Sequence, residues 1–184
     1  MASNRAPAKG PATAVLTGAL NPVHKGHLQM AHFALKHLKE QNYFPVRVIL
    51  SPSHDDYAST KPGFVPFKHR VVMCTLACAS SEEMVCDPWE GSQPHFIDYT
   101  GVVQHFALEN ENESVFFLCG EDHFKKCVQY DGVEFINRTI VVPRDKTSMS
   151  STIARKMKSK DDLSHVVPNE HVLEYIANNH LYTL

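Results

Sequence analysis

The fold is indicated first by residues 14–28, which read AVLTGALNPVHKGHL. Residues 14–17 are apolar and predict a short strand, which ends at Gly18. Residues 27–39 predict a helix, because their apolar side chains recur every three or four positions. A strand that leads through a short turn into a helix is typical of the first unit of a parallel α/β sheet.

The same alternation continues to the end of the chain. Residues 114–119 (SVFFLC) are almost wholly apolar, as expected of a parallel strand covered on both faces. Further strands are predicted at 45–50, 84–86 and 138–142, and further helices at 67–80, 95–108, 152–158 and 169–179. The pattern predicts right-handed βαβ units and hence a Rossmann-like, doubly wound parallel sheet in a single α/β domain. We expect this domain to span residues 14–184, after a flexible tail at 1–13.

Composition narrows the classes of function. The chain has 184 residues, of which 43% are hydrophobic and 21% charged, as in an ordinary globular domain. A formal net charge of −2 argues against a nucleic-acid partner. No apolar run approaches the roughly 18 residues that a membrane span needs. Five cysteines without a Cys-x-x-Cys pair predict reduced, mostly buried thiols in an intracellular protein, either cytoplasmic or nuclear.

The turn after the first strand carries the pattern His-x-Gly-His, formed by His24, Gly26 and His27. Neither the Rossmann Gly-x-Gly-x-x-Gly pattern nor the Walker lysine pattern stands here, which argues against a bound dinucleotide cofactor and a P-loop kinase. Gly18 allows a ligand to approach the backbone, and both imidazoles can donate hydrogen bonds to a phosphate at the helix N-terminus. Two unrelated surface histidines, or a metal-binding pair, are the alternatives.

Two motifs carry a resemblance to a known group of enzymes. Residues 18–27 (GALNPVHKGH) resemble the signature of the nucleotidyltransferase superfamily. Residues 149–155 (MSSTIAR) are similar to its second motif, Ile-Ser-Ser-Thr-x-x-Arg, with Met149 in place of isoleucine. Taken alone, the second motif could equally be a serine cap followed by a basic helix.

The middle of the chain resembles one family within this superfamily, the nicotinamide/nicotinate mononucleotide adenylyltransferases. The segments that carry this resemblance follow the predicted strands or open the next helix: Ser51-Pro52, Asp56-Tyr57, His69-Arg70, Asp87-Pro88-Trp89-Glu90, Gly120-x-Asp122 and Arg144. The resemblance implies that ATP and the mononucleotide react to give NAD, or its deamido form, and pyrophosphate. The 5′-phosphate of the mononucleotide would attack the α-phosphorus of ATP in line.

The resemblance also implies roles for individual residues. Charge on the departing pyrophosphate would be stabilised by the catalytic residues His24, His27 and Arg155. ATP would be bound by Gly26, Gly120, Asp122, Ser151 and Thr152. The mononucleotide would be bound by Gly18, Ala19, Leu20, Trp89 and Arg144. Mg²⁺ is expected as a cofactor held mainly by the ATP phosphates, without protein ligands.

Trp89 is the only tryptophan and offers a flat face for a pyridinium ring, although it could instead anchor the core. Lys61 could reach a phosphate or remain solvated. Tyr130 is the nearest candidate for a second aromatic side chain in the pyridine site.

The chain departs from the family pattern at two places. Ala19 and Leu20 stand where the family commonly has Ser or Thr and then Phe, and only residues 145–149 separate Arg144 from the second motif. These departures keep two other hypotheses open. One is another nucleotidyltransferase, acting on phosphopantetheine or transferring a cytidylyl group. The other is a non-catalytic binding or chaperone-like relative.

Overall fold

A single parallel sheet organises the protein in the computed structural model, which describes residues 7–143, 150–157 and 159–183. The sheet has the order β3-β2-β1-β4-β5, and every neighbouring pair is parallel. The strands are β1 (Ala12–Gly18), β2 (Val46–Pro52), β3 (Met84–Cys86), β4 (Ser114–Gly120) and β5 (Thr139–Val142). The predicted Rossmann-like α/β fold is confirmed. Arg144 and the segment 145–149 lie outside the described residues.

Helices cover both faces of this sheet and supply the loops at its carboxyl edge. The longer ones are α1 (Lys25–Glu40), α3 (Phe67–Cys78), α5 (Tyr99–Glu109) and α10 (Glu170–Asn178). The shorter ones are α2 (Asp55–Ala58), α4 (Trp89–Ser92), α6 (Glu121–Lys126), α7 (Val133–Asn137), α8 (Ser151–Ala154) and α9 (Lys160–Ser164). Helix α1 buries the apolar side that its sequence predicts: Ala31, Ala34, Leu35 and Leu38.

The two faces of the sheet bury separate apolar clusters, because successive side chains of a strand point to opposite faces. On one face, β1, β2 and β4 pack against α1, α3 and α10, and on the other they pack against α5. The first cluster includes Ala14, Leu16, Val48, Leu50 and Leu118, and the second includes Val15, Ile49, Phe117 and Phe106. Burial on both faces explains why these strands read as apolar runs.

The order of the strands places a crevice at one edge of the sheet. The chain builds β1, β2 and β3 outward in one direction and then returns to add β4 and β5 on the other side of β1. The helices that follow β1 and β4 therefore lie on opposite faces of the sheet. In open parallel sheets, ligands bind at this switch point beyond the carboxyl ends of the strands.

Several boundaries differ from those predicted. Residues 12 and 13 belong to β1, where the Ala12 N–H donates to the Pro45 carbonyl at 2.9 Å, so the prediction of a flexible tail to residue 13 is wrong there. The predicted helix 95–108 begins only at Tyr99, because Phe96 and Ile97 turn towards the cavity described below. Of the predicted helix 152–158, the described residues form only the single turn α8. After α8 the hydrogen bonds become i→i−3, from the Lys156 N–H to the Ile153 carbonyl and from the Met157 N–H to the Ala154 carbonyl, as in a 3₁₀-helix.

All five cysteines have free thiols. Cys74, Cys78 and Cys119 are buried as predicted, whereas Cys127 is exposed. Among the described residues, no helix is both long enough and apolar enough to cross a membrane.

Candidate active site

A cavity of about 690 Å³ lies at the carboxyl ends of β1 and β4, and we call it the strand-end cavity. One part of its wall, the histidine end, is formed by His27, Ser151, Thr152 and Arg155. Another part, the aromatic end, is formed by Tyr57, Phe96, Ile97, Tyr99 and Phe117. The cavity therefore joins a polar, hydrogen-bonding region to a flat apolar one.

The two histidines of the first turn form a stacked pair at the start of α1. Their ring centroids lie 3.7 Å apart, and the rings are inclined by 28°. The backbone N–H of His24 donates to Nδ1 of His27 at 3.1 Å. Since Nδ1 of His27 accepts, the proton of the neutral ring belongs on Nε2, which can then donate to a ligand. Nδ1 of His24 is buried and has no hydrogen-bond partner among the described residues.

Burial keeps both imidazoles neutral at physiological pH. His24 is 6% exposed, and loss of solvation lowers its pKa from 6.5 to about 4. The pKa of His27 is also well below its usual value, because the ring is buried and His24 lies beside it. In the protein without ligand the pair therefore acts through neutral N–H donors.

We expect the two histidines to titrate differently in the free and anion-bound protein. In the free protein, the ring proton resonances of His24 should titrate with a midpoint near 4. Added pyrophosphate should raise the midpoints of both histidines by about 1 or more, since a nearby anion favours the imidazolium. Because the unfolded chain keeps the ordinary pKa of 6.5, the free energy of unfolding should fall as the pH drops from 6.5 towards 4. An NMR titration that finds midpoints near 6.5 without ligand would contradict this account.

The second motif belongs to the histidine end of the cavity, together with His27. Ser150 caps α8 by accepting a hydrogen bond from the Ile153 N–H at 3.2 Å. Ser151 Oγ donates to the Pro22 carbonyl at 3.0 Å, which ties α8 to the first turn. Thr152 accepts from Arg155 Nη2 at 3.2 Å. Hydroxyl groups and a guanidinium are thus held beside His27, as a polyphosphate site requires.

Asn21 connects the first turn to the C-terminal part of the chain. Its carbonyl accepts from Arg155 Nη1 at 2.8 Å, and its Oδ1 accepts from the Tyr182 hydroxyl at 2.6 Å. Its amide nitrogen donates to the Gly63 carbonyl at 3.1 Å. The position of Arg155 therefore depends on a residue of the first turn and, through it, on Tyr182.

Arg70 is a buried arginine, 0% exposed, that joins the loops behind the cavity. Its guanidinium donates to the carbonyls of Val65, Ala19 and Ser53 at 3.0, 2.7 and 2.6 Å. It also forms an ion pair with Asp55 at 2.8 Å. Arg70 thereby holds together the loops that follow β1 and β2.

Stacked rings build the aromatic end. Tyr57 and Phe96 have ring centroids 5.1 Å apart and are inclined by 15°. Tyr99 stacks on Phe117 at 5.0 Å with an inclination of 20°. Lys61 Nζ lies 4.9 Å above the Tyr57 ring and also lines the cavity. This wall offers flat faces that suit an aromatic ligand ring.

A buried carboxyl group lies in the wall of the same cavity. Glu90 is 1% exposed, and its Oε2 accepts from the hydroxyls of Thr17 and Ser51, both at 2.6 Å. Burial raises its pKa from 4.5 to about 7. Glu90 has no predicted role from sequence, although its place four residues after the strand that ends at Cys86 was an available signal.

Trp89 is placed differently from the prediction. It is not part of the wall of the strand-end cavity. Its ring stacks on His105 at 3.5 Å with an inclination of 4° and meets Phe106 edge-on. The structure thus favours the core-anchor alternative. Tyr130 is 80% exposed and does not line the cavity either, whereas Phe96 supplies an aromatic face that the sequence analysis missed.

The remaining predicted residues divide into three groups. Those that line the cavity are Gly18, Ala19, Leu20, Gly120, Ser151, Thr152 and Arg155. Open space surrounds Gly18 and Gly120, where an added Cβ would meet no atom within 4 Å. Gly26 and Asp122 do not line the cavity, and Arg144 lies outside the described residues. Leu20 has φ of +44°, an uncommon value for a branched side chain.

The donors at the histidine end suit phosphate oxygens rather than a metal ion. No group of three or more His, Cys, Asp or Glu side chains in the described part of the chain could hold a metal. Imidazole N–H, hydroxyl and guanidinium groups bind anions. A magnesium ion brought by a nucleotide would therefore be held by the phosphates of that nucleotide.

Residues 15–165 match the model of one protein family, described as cytidylyltransferase-like. The chain belongs to this family. The match extends from β1 to α9 and therefore includes both motifs and all of the sheet except the first three residues of β1. Membership agrees with the resemblance to nucleotidyltransferases that the two motifs indicate.

Two relatives are similar in sequence over part of the chain. A zebrafish (Danio rerio) nicotinamide/nicotinic acid mononucleotide adenylyltransferase 2 is 40% identical over 89 residues, which cover 48% of this chain and 29% of the relative. An Arabidopsis thaliana nicotinamide/nicotinic acid mononucleotide adenylyltransferase is 33% identical over 116 residues, or 59% of this chain and 48% of the relative. The matched part thus spans less than half of either relative's length.

Solved structures share the fold along nearly the whole chain. A Plasmodium falciparum nicotinic acid mononucleotide adenylyltransferase complexed with APC has a TM-score of 0.67 at 14% identity, covering 92% of this chain and 96% of that one. A Vibrio parahaemolyticus protein described as a putative nicotinate-nucleotide adenylyltransferase has a TM-score of 0.65 at 19% identity. These similarities support the fold assignment.

Proposed function

We propose that the protein joins ATP to nicotinamide or nicotinate mononucleotide and releases pyrophosphate. One observation carries the proposal: a single cavity unites a histidine end built for phosphates with an aromatic end built for a flat ring. The names of the zebrafish and Arabidopsis relatives agree with this activity. In the reaction, a bond forms between the mononucleotide 5′-phosphate oxygen and the α-phosphorus of ATP. The bond from that phosphorus to the oxygen that bridges the α- and β-phosphates breaks, and this oxygen leaves as a terminal oxygen of pyrophosphate.

The chain's own residues would act by positioning and by binding charge. The attacking phosphate is already ionised, so no protein base is needed. Neutral His27 would donate through Nε2 to the polyphosphate, with His24 stacked behind it. Arg155 would add a full positive charge, and the hydroxyls of Ser151 and Thr152 would hold the outer phosphates. Mg²⁺ would enter with ATP as part of the substrate and neutralise phosphate charge.

Gly18, Ala19 and Leu20 would hold the mononucleotide beside the end of β1, and Gly120 would border the nucleotide at the end of β4. The roles of Gly26, Asp122 and Arg144 remain expectations from sequence. The aromatic end would receive the pyridine ring, between Phe96 and the neighbouring tyrosines.

Pyrophosphate release tests the proposal directly. The protein is incubated with MgATP and, in parallel, with nicotinamide mononucleotide, nicotinate mononucleotide, phosphopantetheine or no acceptor. Release with a pyridine mononucleotide supports the proposed reaction. Release only with phosphopantetheine would assign the chain to another nucleotidyltransferase activity. No release with any acceptor would favour the non-catalytic, chaperone-like hypothesis.

Phe96 and Trp89 should respond differently to substitution by alanine. Because Phe96 lines the cavity, Phe96→Ala should raise KM for the mononucleotide about tenfold and leave KM for ATP nearly unchanged, since one stacked base is worth about 1–3 kcal/mol. Trp89→Ala should instead lower the melting temperature, because Trp89 packs on His105 and Phe106. Steady-state kinetics and thermal unfolding of both variants check these outcomes. The reverse pattern would restore Trp89 as the ring-binding residue.

A further inference from the structure

The carboxyl group of Glu90 is placed to contact a ligand at the strand-end cavity. Both of its hydrogen bonds, from Thr17 and Ser51, are received by Oε2. Oε1 accepts no hydrogen bond from any residue that the structure describes. Because Glu90 lines the cavity, a ligand that offers a donor can use this remaining oxygen.

Ser53 adds a donor to the same wall. It is 1% exposed and lines the cavity, and its Oγ has no hydrogen-bond partner among the described residues. A buried hydroxyl without a partner is costly, which indicates that a ligand or a water molecule completes its bonding. The wall therefore presents one hydroxyl donor and one carboxyl acceptor.

A carboxamide matches this pair better than a carboxylate does. The amide offers an N–H group for Glu90 and a carbonyl oxygen for the Ser53 hydroxyl. A carboxylate has only acceptors, so it can use Ser53 but meets an ionised Glu90 as a like charge. The substituent on the pyridine ring is the one group that differs between nicotinamide and nicotinate mononucleotides.

We propose that Glu90 is a specificity-determining residue that favours the carboxamide substrate over the carboxylate one, and that this preference strengthens as Glu90 ionises. The inference rests on the proposed function, because it assigns the aromatic end and its neighbouring wall to the pyridine ring. Glu90 and Ser53 are the groups that would contact the ring substituent.

The charged groups around Glu90 determine when it ionises. Thr17 on β1 and Ser51 on β2 do not titrate in the relevant range, and Arg70 on α3 is a fixed positive charge that lowers the pKa of Glu90. The titratable or charged residues that share the cavity are His27, Tyr57, Lys61, Asp98, Tyr99, Cys119, His123, Cys127 and Arg155. Burial outweighs the favourable contacts and leaves the pKa of Glu90 at about 7, so its charge changes within the working range of an enzyme assay.

The test is the ratio of kcat/KM for nicotinamide mononucleotide to that for nicotinate mononucleotide, measured from pH 5.5 to 8.5. Titrations that both assays share, including those of ATP, the 5′-phosphate and His27, cancel in this ratio. In the wild type, the ratio should rise about tenfold across the range, since like charges placed together disfavour binding strongly. In Glu90→Gln the ratio should be flat and lower, because Gln still accepts from both hydroxyls but presents an amide N–H to the carboxylate.

Two further variants separate Glu90 from its neighbours. His123 also lines the cavity, and burial lowers its pKa, so its titration could affect the carboxylate substrate as well. His123→Gln should keep the slope of the ratio with pH. Ser53→Ala should raise KM for both mononucleotides, since each accepts from the Ser53 hydroxyl, and should also keep the slope. Thermal unfolding of each variant verifies that it is folded.

A flat ratio in the wild type would overturn the inference even if Glu90→Gln failed to fold. The same slope in Glu90→Gln as in the wild type, or loss of the slope in His123→Gln, would also overturn it. These outcomes leave the proposed function intact, because both substrates are still turned over. If neither mononucleotide were turned over, the proposed function and this inference would both be overturned.

Discussion

His27→Ala is expected to lower kcat for pyrophosphate release by about 10²–10³-fold, the usual cost of removing one donor from a developing negative charge. The Nε2 proton of His27 lies in the cavity wall at the helix start, because Nδ1 is occupied by the His24 N–H at 3.1 Å. KM for both substrates should change much less than kcat. Pre-steady-state and steady-state measurements of pyrophosphate release would give both constants.

His32→Ala is the matched control for this variant. His32 lies on the same helix, is exposed, does not line the strand-end cavity, and its Nδ1 lies 2.8 Å from the Leu28 carbonyl oxygen. It should retain wild-type kcat. His27→Gln, which keeps an N–H donor, should recover part of the lost activity. If His27→Ala retained kcat within about twofold of the wild type while folded, its assignment to the phosphate site would be wrong.

Arg70→Met is expected to reduce the free energy of unfolding by about 3–5 kcal/mol, because three carbonyl oxygens lose their donor and each acceptor left unsatisfied costs about 1–3 kcal/mol. The substitution removes the Arg70 donor from the carbonyl oxygens of Val65, Ala19 and Ser53, and from the Asp55 carboxylate, which keeps its hydrogen bond from the Phe67 N–H. For a chain of this size, the melting temperature should fall by about 10 °C or more. Chemical denaturation and calorimetry would measure the change.

Asp55→Asn provides the comparison for Arg70. The Asp55 side chain is 39% exposed, and an amide oxygen can still accept from the Phe67 N–H and from Arg70. Its cost should therefore stay near 1 kcal/mol. Arg70→Lys keeps the charge but cannot reach all four acceptors, so its stability should lie between those of Arg70→Met and the wild type. An Arg70→Met protein as stable as the wild type would show that the loops behind the cavity do not depend on this residue.

The fold could be predicted because the central strands β1, β2 and β4 are covered on both faces. Burial on both sides makes β2 and β4 read as apolar runs, and the spacing of Ala31, Leu35 and Leu38 identifies α1. The start of α5 could not be predicted in the same way. Phe96 and Ile97 look like helix residues in sequence, but they line a cavity whose existence depends on tertiary structure.

The histidine end was predictable and the aromatic end was not, for a physical reason. His27 and Ser151 belong to local motifs, in which a helix start fixes several donors within a few residues. The aromatic end is assembled from distant loops, and an aromatic residue in sequence does not reveal which partner its ring will cover. The sequence shows that Trp89 follows a strand and offers a flat face, but not that its ring stacks on His105 while Glu90 lines the cavity.

The hydrogen bonds of Asn21 affect the order in which the protein folds during translation. The first turn is synthesised early, but its Asn21 carbonyl and side chain are bonded by Arg155 and Tyr182, more than 130 positions later. Domains fold from the N-terminus as they emerge from the ribosome. A nascent chain can therefore build most of its sheet before it can complete this turn. A product that stops before residue 182 would keep the histidines but lack the hydrogen bond from Tyr182 to Asn21, the residue whose carbonyl accepts from Arg155.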